Sequence, residues 1–594
     1  MMCKKMSGFL FTVLFSFGLV TNVCAFSDGY ILAAHHMGSA TYLFDKNMEI
    51  VHKWTHDSLP NPQSGYACYL LPNGNLLRSS VTKDEVAANA APKQGTISEI
   101  DANDNIVWTY TLADSINMLH HDFKVMPNGN ILMVTFVHYE KEEAIEVGID
   151  SSLFSTSMYG GFGKTQFGGM GSNTIELESI MELQPDRTGA GNHQIVWRWN
   201  IADHLIPAAQ KLQHPEKFSG DLGPMFFGQF VHLNGLDYNP TKDLIVFTSR
   251  IFSEFFIIDH STTTAEAAGS TGGTYGKGGD LLFRWGRPSH YCPTQMEVTQ
   301  SEQMVYNRDT REFDTVTVYD TTYFHENDVV YCLHSPTWIP EGYSGAGDVM
   351  FFHNNVDASM SQRGSSQVIE VKPETDANGA FIMTPGTPTN PLTPTWIYEP
   401  SVTMFSQSMS TAIRMPSGNT IVHEAYPGGN NSGTNGTVRE VDPSGAEVWG
   451  PVEFELPESE IPETDTSDQY GMGGMGMTNP NAFNPAKIMY YPGDYVGVSE
   501  LKKNIGLSQK GSKAYFSPNT VVPAMRKHVH TLSFSNVSGA VISLYTLQGR
   551  HIRTLQPRSN TAEMDFRALG TGSYIVKVHL DGRAVLNEVV SLVR

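Results

Sequence analysis

Cysteine is scarce in this chain. The sequence of 594 residues has 5 cysteines, and Cys3 and Cys24 fall within an apolar leader. At most one internal disulfide can form among Cys68, Cys292 and Cys332, and their spacing fits no zinc motif. A fold held together by several disulfides is therefore excluded, and we expect these three thiols to be buried in strands.

The chain also has fewer positively charged than negatively charged residues. Lys and Arg number 39 against 61 Asp and Glu, for a formal net charge of −22. A surface that binds nucleic acid or anionic lipid needs an excess of Lys and Arg, so the composition argues against both partners. No Gly-rich loop follows a strand and opens a helix, and acidic runs such as Glu326-Asn327-Asp328 lack EF-hand spacing. We predict no cofactor and no metal site.

Long apolar runs are absent after the N-terminus, so no transmembrane segment is predicted. At the N-terminus, Lys4 and Lys5 precede the apolar stretch Phe9 to Val20, and Val23-Cys24-Ala25 is a small-residue cleavage site. This pattern is typical of a signal peptide over residues 1–25. We expect export through the inner membrane, passage through the periplasm, and a secreted or cell-surface location.

Helical periodicity is rare, with Ile201 to Leu212 the best short candidate, whereas a β pattern repeats along the chain. Six short apolar runs end in or contain tryptophan: Ile50 to Trp54, Ile106 to Trp108, Ile195 to Trp199, Leu282 to Trp285, Thr395 to Tyr398 and Glu447 to Trp449. Three of them are followed by a Pro-x-Gly-Asn turn, at Pro72 to Asn75, Pro127 to Asn130 and Pro416 to Asn419. The separations from Trp54, Trp108 and Trp396 to these prolines are 18, 19 and 20 residues.

A strand that ends in tryptophan, a connection and a turn that opens another strand form one repeated unit, as in a β-propeller. The sequence therefore predicts an all-β chain with a six-bladed propeller over residues 26–505. A linker over 506–524 and a small C-terminal β-sandwich over 525–594 follow. Two Gly/Met-rich insertions, Met158 to Gly171 and Tyr470 to Met477, are predicted to be loops.

Several histidines lie beside turns or strand ends, where propeller loops face the central channel. They are His121, His232, His334, His353 and His423, with Arg250 and Arg363 near the same positions. Neutral imidazole acts as a nucleophile or general base near neutral pH, and guanidinium binds tetrahedral oxyanions. Together these residue types indicate transfer of an anionic group.

An ordered set of motifs resembles the bacterial arylsulfate sulfotransferases. It comprises His232 to Tyr238, Ser249-Arg250, Asp280 to Gly286, His334 to Gly342, and Arg363-Gly364-Ser365 with Glu370. The resemblance spans about residues 60 to 450. It implies a six-bladed propeller that moves a sulfuryl group from a phenolic sulfate ester to a phenol, through a sulfated histidine and without a phosphoadenosine donor.

By position, the resemblance assigns His232 and His334 as active-site histidines and Arg363 as the anion-binding arginine. The sulfated histidine of the family has no counterpart at Tyr426-Pro427-Gly428-Gly429, and His423 is the nearest candidate. His121, Arg250, Asn234 and His353 are expected as substrate-binding neighbours. The alternative function is a non-catalytic surface propeller that binds a ligand or a protein partner.

The C-terminal residues resemble a second family. Gln548-Gly549-Arg550 and Gly572 to Val578 are similar to marks of the sorting domain of the type IX (Por) secretion system. The resemblance covers roughly the last 70 residues and implies the type IX secretion machinery as a partner. A carbohydrate-binding or spacer β-sandwich is the alternative interpretation.

Overall fold

The computed structural model describes residues 29–36, 38–56, 59–81, 94–154, 174–221, 229–307, 312–356, 362–400, 402–429, 434–456, 482–505, 521–526, 529–534, 540–546, 550–556, 561–565, 572–580 and 583–592. The predicted signal peptide, both Gly/Met-rich insertions and most of the predicted linker lie outside these ranges. The described chain is mostly strand with few helices, so the all-β prediction is confirmed.

Six antiparallel sheets of four strands account for most of residues 29–492. In each sheet the strands follow one another from an inner strand to an outer one. The first sheet consists of Pro485–Pro492, Gly29–His35, Thr41–Asp45 and Ile50–Trp54; the second of Ser64–Leu70, Leu76–Val81, Gly95–Ile100 and Ile106–Thr111; the third of Asn117–Val125, Ile131–Glu140, Thr174–Gln184 and Gln194–Asn200; the fourth of Leu233–Asn239, Leu244–Ser249, Glu254–Asp259 and Phe283–Trp285; the fifth of Leu333–Trp338, Val349–His353, Gln367–Val371 and Trp396–Tyr398; the sixth of Thr411–Arg414, Thr420–Glu424, Thr437–Val441 and Glu447–Glu453.

The remaining elements are short or lie outside these sheets. Two C-terminal sheets contain Val521–Arg526, Val529–Phe534 and Thr561–Asp565, and then His551–Leu555, Ala540–Thr546, Gly572–Leu580 and Arg583–Leu592. A hairpin joins Gln295–Asn307 to Glu312–Phe324, and Leu205–Ile206 pairs in parallel with Phe218–Ser219. The α-helices are Lys141–Glu146, Thr264–Ala267 and Val496–Asn504, and the 3-10 helices are Ser151–Phe154, Ile201–His204, Ala208–Gln210 and Pro288–His290. None of the helices in the described part of the chain is long and apolar enough to cross a membrane.

The helix expected over Ile201 to Leu212 is not formed. Two 3-10 turns, Ile201–His204 and Ala208–Gln210, are separated there by the extended pair Leu205–Ile206. Pro207 has no backbone N–H to donate, and it disfavours the helical conformation of the residue before it. The cysteine prediction is confirmed in part: Cys68, Cys292 and Cys332 are free and buried, but only Cys68 lies in a strand.

Apolar cores lie between neighbouring sheets. Six clusters of buried side chains join the first sheet to the second, the second to the third, and so on, and the last cluster joins the sixth sheet back to the first. Each inner strand also contacts the inner strand of the next sheet. The sixth sheet therefore packs against the first, whose inner strand is Pro485–Pro492.

The repeated tryptophans dock one sheet onto the next. Each of four outer-strand indoles donates its N–H to a backbone carbonyl between the third and fourth strands of the following sheet: Trp54 to Asp101, Trp199 to Gly279, Trp285 to Pro391 and Trp396 to Pro443. A buried indole N–H needs such a partner. The spacing of tryptophan in the sequence therefore reflects a repeated contact between sheets.

The repeated turns are held by a contact within each sheet. The glycine of each turn has a positive φ, 84° at Gly74 and 91° at Gly418, which a side chain would strain. The asparagine after it donates its amide to a glutamate on the third strand of the same sheet: Asn75 to Glu99, Asn130 to Glu182 and Asn419 to Glu440. The Pro-x-Gly-Asn motif thus fixes the connection between the inner and second strands.

One buried ion pair fastens the inner strand Pro485–Pro492 to its surroundings. Lys487 Nζ lies 2.7 Å from Asp122 Oδ2, and their side chains are 5% and 0% exposed. Asp122 also accepts the backbone N–H groups of Phe123 and Leu236. Burial raises the pKa of Asp122 even though Lys487 opposes this change. The carboxylate is therefore costly to keep charged without its lysine.

We expect Lys487→Met to lower the free energy of unfolding by about 3–5 kcal/mol at neutral pH, because Asp122 loses its partner while remaining buried. The loss should shrink as the pH falls, since a protonated Asp122 carries no charge. Urea unfolding at several pH values measures both effects. Lys503→Met is the control: Lys503 is 73% exposed in its pair with Glu500, so a change within about 0.5 kcal/mol is expected. Equal losses in the two variants would contradict the prediction.

Candidate functional site

Three imidazoles and one guanidinium meet at one end of the inner strands. His121, His232 and His334 come from the third, fourth and fifth sheets, and the ring centroids of His121 and His232 are 4.6 Å apart. The positive charge of Arg250 acts on all three rings. The structure therefore brings together four of the residues singled out in the sequence.

All three imidazoles are neutral at pH 7. Burial is the main cause, and it lowers the pKa of His334 to about 3, with Arg250 adding to the effect. Burial and neighbouring positive groups also hold the pKa values of His121 and His232 well below 6.5. An anion bound among these rings would oppose the shift, because negative charge favours the protonated imidazole.

Unusual backbone conformations position two of these rings. His121 has a φ of 47° and His232 a φ of 55°, which a non-glycine residue rarely adopts. His121 lies in an irregular stretch of its inner strand, where the register shifts between Leu119 and Phe123. His232 directly precedes its inner strand. Strain of this kind persists where surrounding contacts enforce it.

Glu178 supplies such a contact for His232. Its carboxyl oxygen Oε1 accepts the backbone N–H of His232, and that of Leu233 at 3.3 Å. Burial raises the pKa of Glu178 to about 8, although these hydrogen bonds oppose the rise. At neutral pH this side chain is therefore mostly a protonated acid that holds the His232 backbone.

The protonation of His334 follows from its neighbour Asn354. The Nδ2 group of Asn354 donates to the carbonyls of Ser406 and Met409, at 2.9 and 3.2 Å, which fixes the amide orientation. Its Oδ1 lies 2.6 Å from His334 Nδ1 and must accept a hydrogen bond from that nitrogen, which therefore carries the proton. The neutral ring then carries its lone pair on Nε2, the nitrogen available to act as a nucleophile or base.

Tyr66 and Ser335 complete the surroundings. The Tyr66 hydroxyl lies 3.3 Å from Ser335 Oγ, and the Tyr66 ring meets His121 edge-on with centroids 5.6 Å apart. Burial raises the pKa of Tyr66, so its hydroxyl stays protonated. A Cβ at Gly235 would lie 2.5 Å from Pro336 Cδ. Glycine there allows the inner strands of the fourth and fifth sheets to approach closely beside His334.

Asn234 and His353 make contacts of a different kind. Asn234 donates to the Leu333 carbonyl and accepts from Thr248, each at 2.7 Å, so its amide links the fourth and fifth sheets. His353 accepts the backbone N–H of Tyr331 at 3.0 Å and contacts Gln367. Both side chains hold backbone or neighbouring groups in place.

Arg363 lies on an aromatic ring. Its guanidinium carbon is 4.1 Å from the centroid of Tyr331, and Arg287 lies 5.5 Å from the same ring. Arg363 is exposed. Its assignment as the anion-binding residue stays a prediction.

His423 lies in the core between the sixth and first sheets. It is paired with Val438, a member of that core, and its ring contacts Phe454 edge-on. Burial lowers its pKa to about 3, and neither ring nitrogen has a hydrogen-bond partner among the described residues. Among the described residues His423 contacts Val438 and Phe454 and not the three clustered imidazoles, and its role as the nucleophile stays a prediction.

The position of Asn354 in the repeat could have identified it from the sequence, but the adjacent His353 was selected instead. Arg250 follows the second strand of the fourth sheet, and its backbone N–H donates to His232. Asn354 follows the second strand of the fifth sheet, and its N–H donates to Cys332 in the same way. Alignment of the repeats identifies Asn354 as the counterpart of Arg250. Glu178 and Tyr66 come from other sheets and carry no local signal.

The fold and site define an all-β protein whose polar side chains meet at the inner strands of repeated sheets. Residues 178–460 match the family model described as Arylsulfotransferase (ASST), which supports that family for this part of the chain. The matched residues include His232, Arg250 and His334. A search of curated proteins found no match. No group of three or more His, Cys, Asp or Glu side chains suited to a metal ion occurs within the described ranges.

Solved structures similar to the chain share very little sequence with it. They include a protein from Lactobacillus plantarum (10% identity, TM-score 0.32, 78% of this chain and 99% of that one). They also include AztD from Citrobacter koseri (7% identity, TM-score 0.27, 91% and 98%) and the Dos1 propeller (8% identity, TM-score 0.24, 94% and 90%). None of these similarities bears on the activity of the chain.

Glu178 should make the free energy of unfolding depend on pH. A carboxyl group whose pKa is raised by folding stabilises the folded state fully below its unfolded pKa of about 4.5. That contribution is lost as the pH rises to about 8, at about 1.4 kcal/mol per pH unit. Glu178→Gln keeps an oxygen that accepts from His232 but does not titrate. We therefore expect the stability of the variant relative to the native protein to increase between pH 5 and pH 8.

Urea unfolding at intervals from pH 5 to pH 9 measures this difference. Glu266→Gln is the control, because hydrogen bonds from the backbone and hydroxyl of Thr263 lower the pKa of Glu266 below 4.5. Its difference from the native protein should stay constant over the same range. A constant difference for Glu178→Gln as well would show that Glu178 is ionised throughout.

Proposed function

We propose that this protein is an aryl-sulfate sulfotransferase, which moves a sulfuryl group from a phenolic sulfate ester to a phenolic acceptor. The observation that carries the proposal is the arrangement of His334. Its Nε2 carries a lone pair because Asn354 occupies Nδ1, and Arg250 with two further imidazoles surrounds it. The family-model match over residues 178–460 supports the same reaction class.

We further propose that the six sheets are the blades of a six-bladed β-propeller. The cores between successive sheets, the contacts between successive inner strands and the return of the last sheet to the first support this architecture. In a propeller the inner strands line a central channel. His121, His232 and His334 would then lie at one mouth of the channel, where a small aromatic substrate can enter.

In the first half of the proposed reaction, His334 Nε2 attacks the sulfur of the aryl sulfate. The N–S bond forms while the S–O bond to the aromatic ring breaks, and the phenolate leaves with that electron pair. Arg250 stabilises the negative charge on the sulfuryl oxygens during transfer. Phenolates are good leaving groups because the ring delocalises their charge, so departure requires no strong acid.

In the second half an acceptor phenol takes the place of the first. Its oxygen attacks sulfur, the S–O bond forms, and the N–S bond breaks to restore the lone pair of His334. The phenol proton passes to the imidazole of His121 or His232, whose pKa rises while the anion is present. Two transfers at one nitrogen allow a single pocket to serve donor and acceptor in turn.

The test is release of p-nitrophenol from p-nitrophenyl sulfate, with and without added phenol, combined with mass spectrometry for a sulfated peptide. We expect phenol-dependent release and the added mass on the peptide that contains His334. His334→Ala should abolish both. Asn354→Ala should retain the sulfated peptide but lower the rate by about 10²-fold, because the ring loses its fixed orientation. His353→Gln is the control and should stay active, because the hydrogen-bond partners of His353 are Tyr331 and Gln367 and not the clustered histidines.

Other outcomes reject specific parts of the proposal. Sulfation of a peptide containing His423 would move the nucleophile to the sixth sheet. Tight binding of the aryl sulfate without release of phenol would favour a non-catalytic binding protein. Full activity of His334→Ala would remove this residue from the mechanism.

We also propose that the chain is exported and that its C-terminal module directs type IX secretion. The leader sequence and the motif residues near the C-terminus support this. The strands Ala540–Thr546, His551–Leu555, Gly572–Leu580 and Arg583–Leu592 form one antiparallel sheet that contains the motif Gly572 to Val578, whereas Gln548 and Gly549 lie outside the described residues. Removal of residues 525–594 should leave the protein in the periplasm, whereas the full chain should reach the cell surface or medium. Cell fractionation in a host with this secretion system measures the difference. Unchanged release of the truncated chain would contradict the proposal.

A further inference from the structure

The described residues include four arginines that are almost completely buried, and one of them differs from the rest. Three pair with a glutamate: Arg284 with Glu254, Arg414 with Glu370 and Arg439 with Glu424. Arg78 is 0% exposed, and none of its hydrogen bonds in the described structure goes to a carboxylate. A buried charge without a counter-charge is strongly unfavourable.

The side chain of Arg78 lies between the first and second sheets. Arg78 pairs in its ladder with Cys68, which belongs to the core shared by those two sheets. Its Nη2 donates to the Pro62 carbonyl at 2.9 Å, and its Nε to the Ser79 carbonyl at 3.2 Å. Its Nη1 has no hydrogen-bond partner among the described residues. Burial lowers the pKa of Arg78 to about 9, so the guanidinium remains charged at neutral pH.

Three other polar side chains nearby also have unused hydrogen-bonding atoms. Ser64 and Ser80 face each other in the ladder, and neither hydroxyl has a partner among the described residues. His56 contacts Thr41 through Nε2 at 2.9 Å, and its Nδ1 is likewise unused. All three side chains are at most 1% exposed. The charge of Arg78 adds to burial in lowering the pKa of His56, which shows that the two are close.

A carboxylate in the vicinity does not resolve the imbalance. Asp104 opposes only part of the fall that burial causes in the pKa of Arg78. The oxygens of Asp104 accept from the backbone N–H and hydroxyl of Thr55 and from the backbone N–H of His56. The space between the first two sheets thus holds a surplus of donors around one positive charge.

We propose that this space binds a small inorganic anion, such as chloride or sulfate, with Arg78 as its counter-charge. Ser64, Ser80 and His56 supply further donors. A bound anion would satisfy Nη1 of Arg78 and the two hydroxyls at once, and it would neutralise the buried charge. The site is separate from the clustered histidines, and the proposal does not depend on sulfotransferase activity.

The test is the thermal midpoint of the full chain in sodium gluconate at constant ionic strength, with chloride or sulfate replacing gluconate in separate titrations. We expect a saturable rise of about 2–4 °C with at least one of these anions, because a ligand bound only by the folded state stabilises it. The anion that acts at the lower concentration identifies the preferred ligand. No saturable rise with either anion would overturn the proposal.

Variants separate this site from a general effect of salt. Arg78→Met should lose the rise, and in gluconate it should be at least as stable as the native protein because an unpaired buried charge has been removed. Arg439→Met is the control: it leaves Glu424 unpaired and lowers stability, but it should keep the rise. A Ser64→Ala, Ser80→Ala double variant should need about tenfold more anion. This double variant keeps the test decisive if Arg78→Met does not fold, and an equal rise in all proteins would overturn the proposal.

Discussion

Withdrawal of polar groups from water controls the chemistry of the inner strands. Burial makes His121, His232 and His334 neutral, and it makes Glu178 a protonated acid. For His334 a neighbour also fixes the tautomer, because Asn354 Oδ1 accepts a hydrogen bond from Nδ1. The site is therefore prepared for negative charge while it holds little positive charge of its own.

Local patterns in the sequence were sufficient to predict the repeated sheets. Tryptophan marks the outer strands, and in four of them its N–H reaches the next sheet. The Pro-x-Gly-Asn turn marks the start of the second strand in three sheets, because glycine there has a positive φ. The pairing of Gly29–His35 with Pro485–Pro492 could not be read in this way. This pairing joins distant parts of the chain, and neither strand contains a sequence motif that indicates its partner.

In the candidate site, too, some features could be predicted from the sequence and others could not. His232, His334 and Arg250 stand at strand ends that the sequence made visible, and the structure brings them together. Asn234 and His334 are each the second residue of an inner strand, yet Asn234 links two sheets and His334 presents a ring nitrogen. Sequence position alone could not distinguish these roles, because they depend on which partners the neighbouring sheets provide.

The strand Pro485–Pro492 also determines when the molecule can become complete. During synthesis Gly29–His35 emerges early, but its partner follows more than four hundred residues later. Until then one edge of that strand offers unpaired N–H and C=O groups, to which another chain could add. The nascent protein therefore has an open strand edge for most of its synthesis, and other extended chains can pair with that edge before Pro485–Pro492 is available.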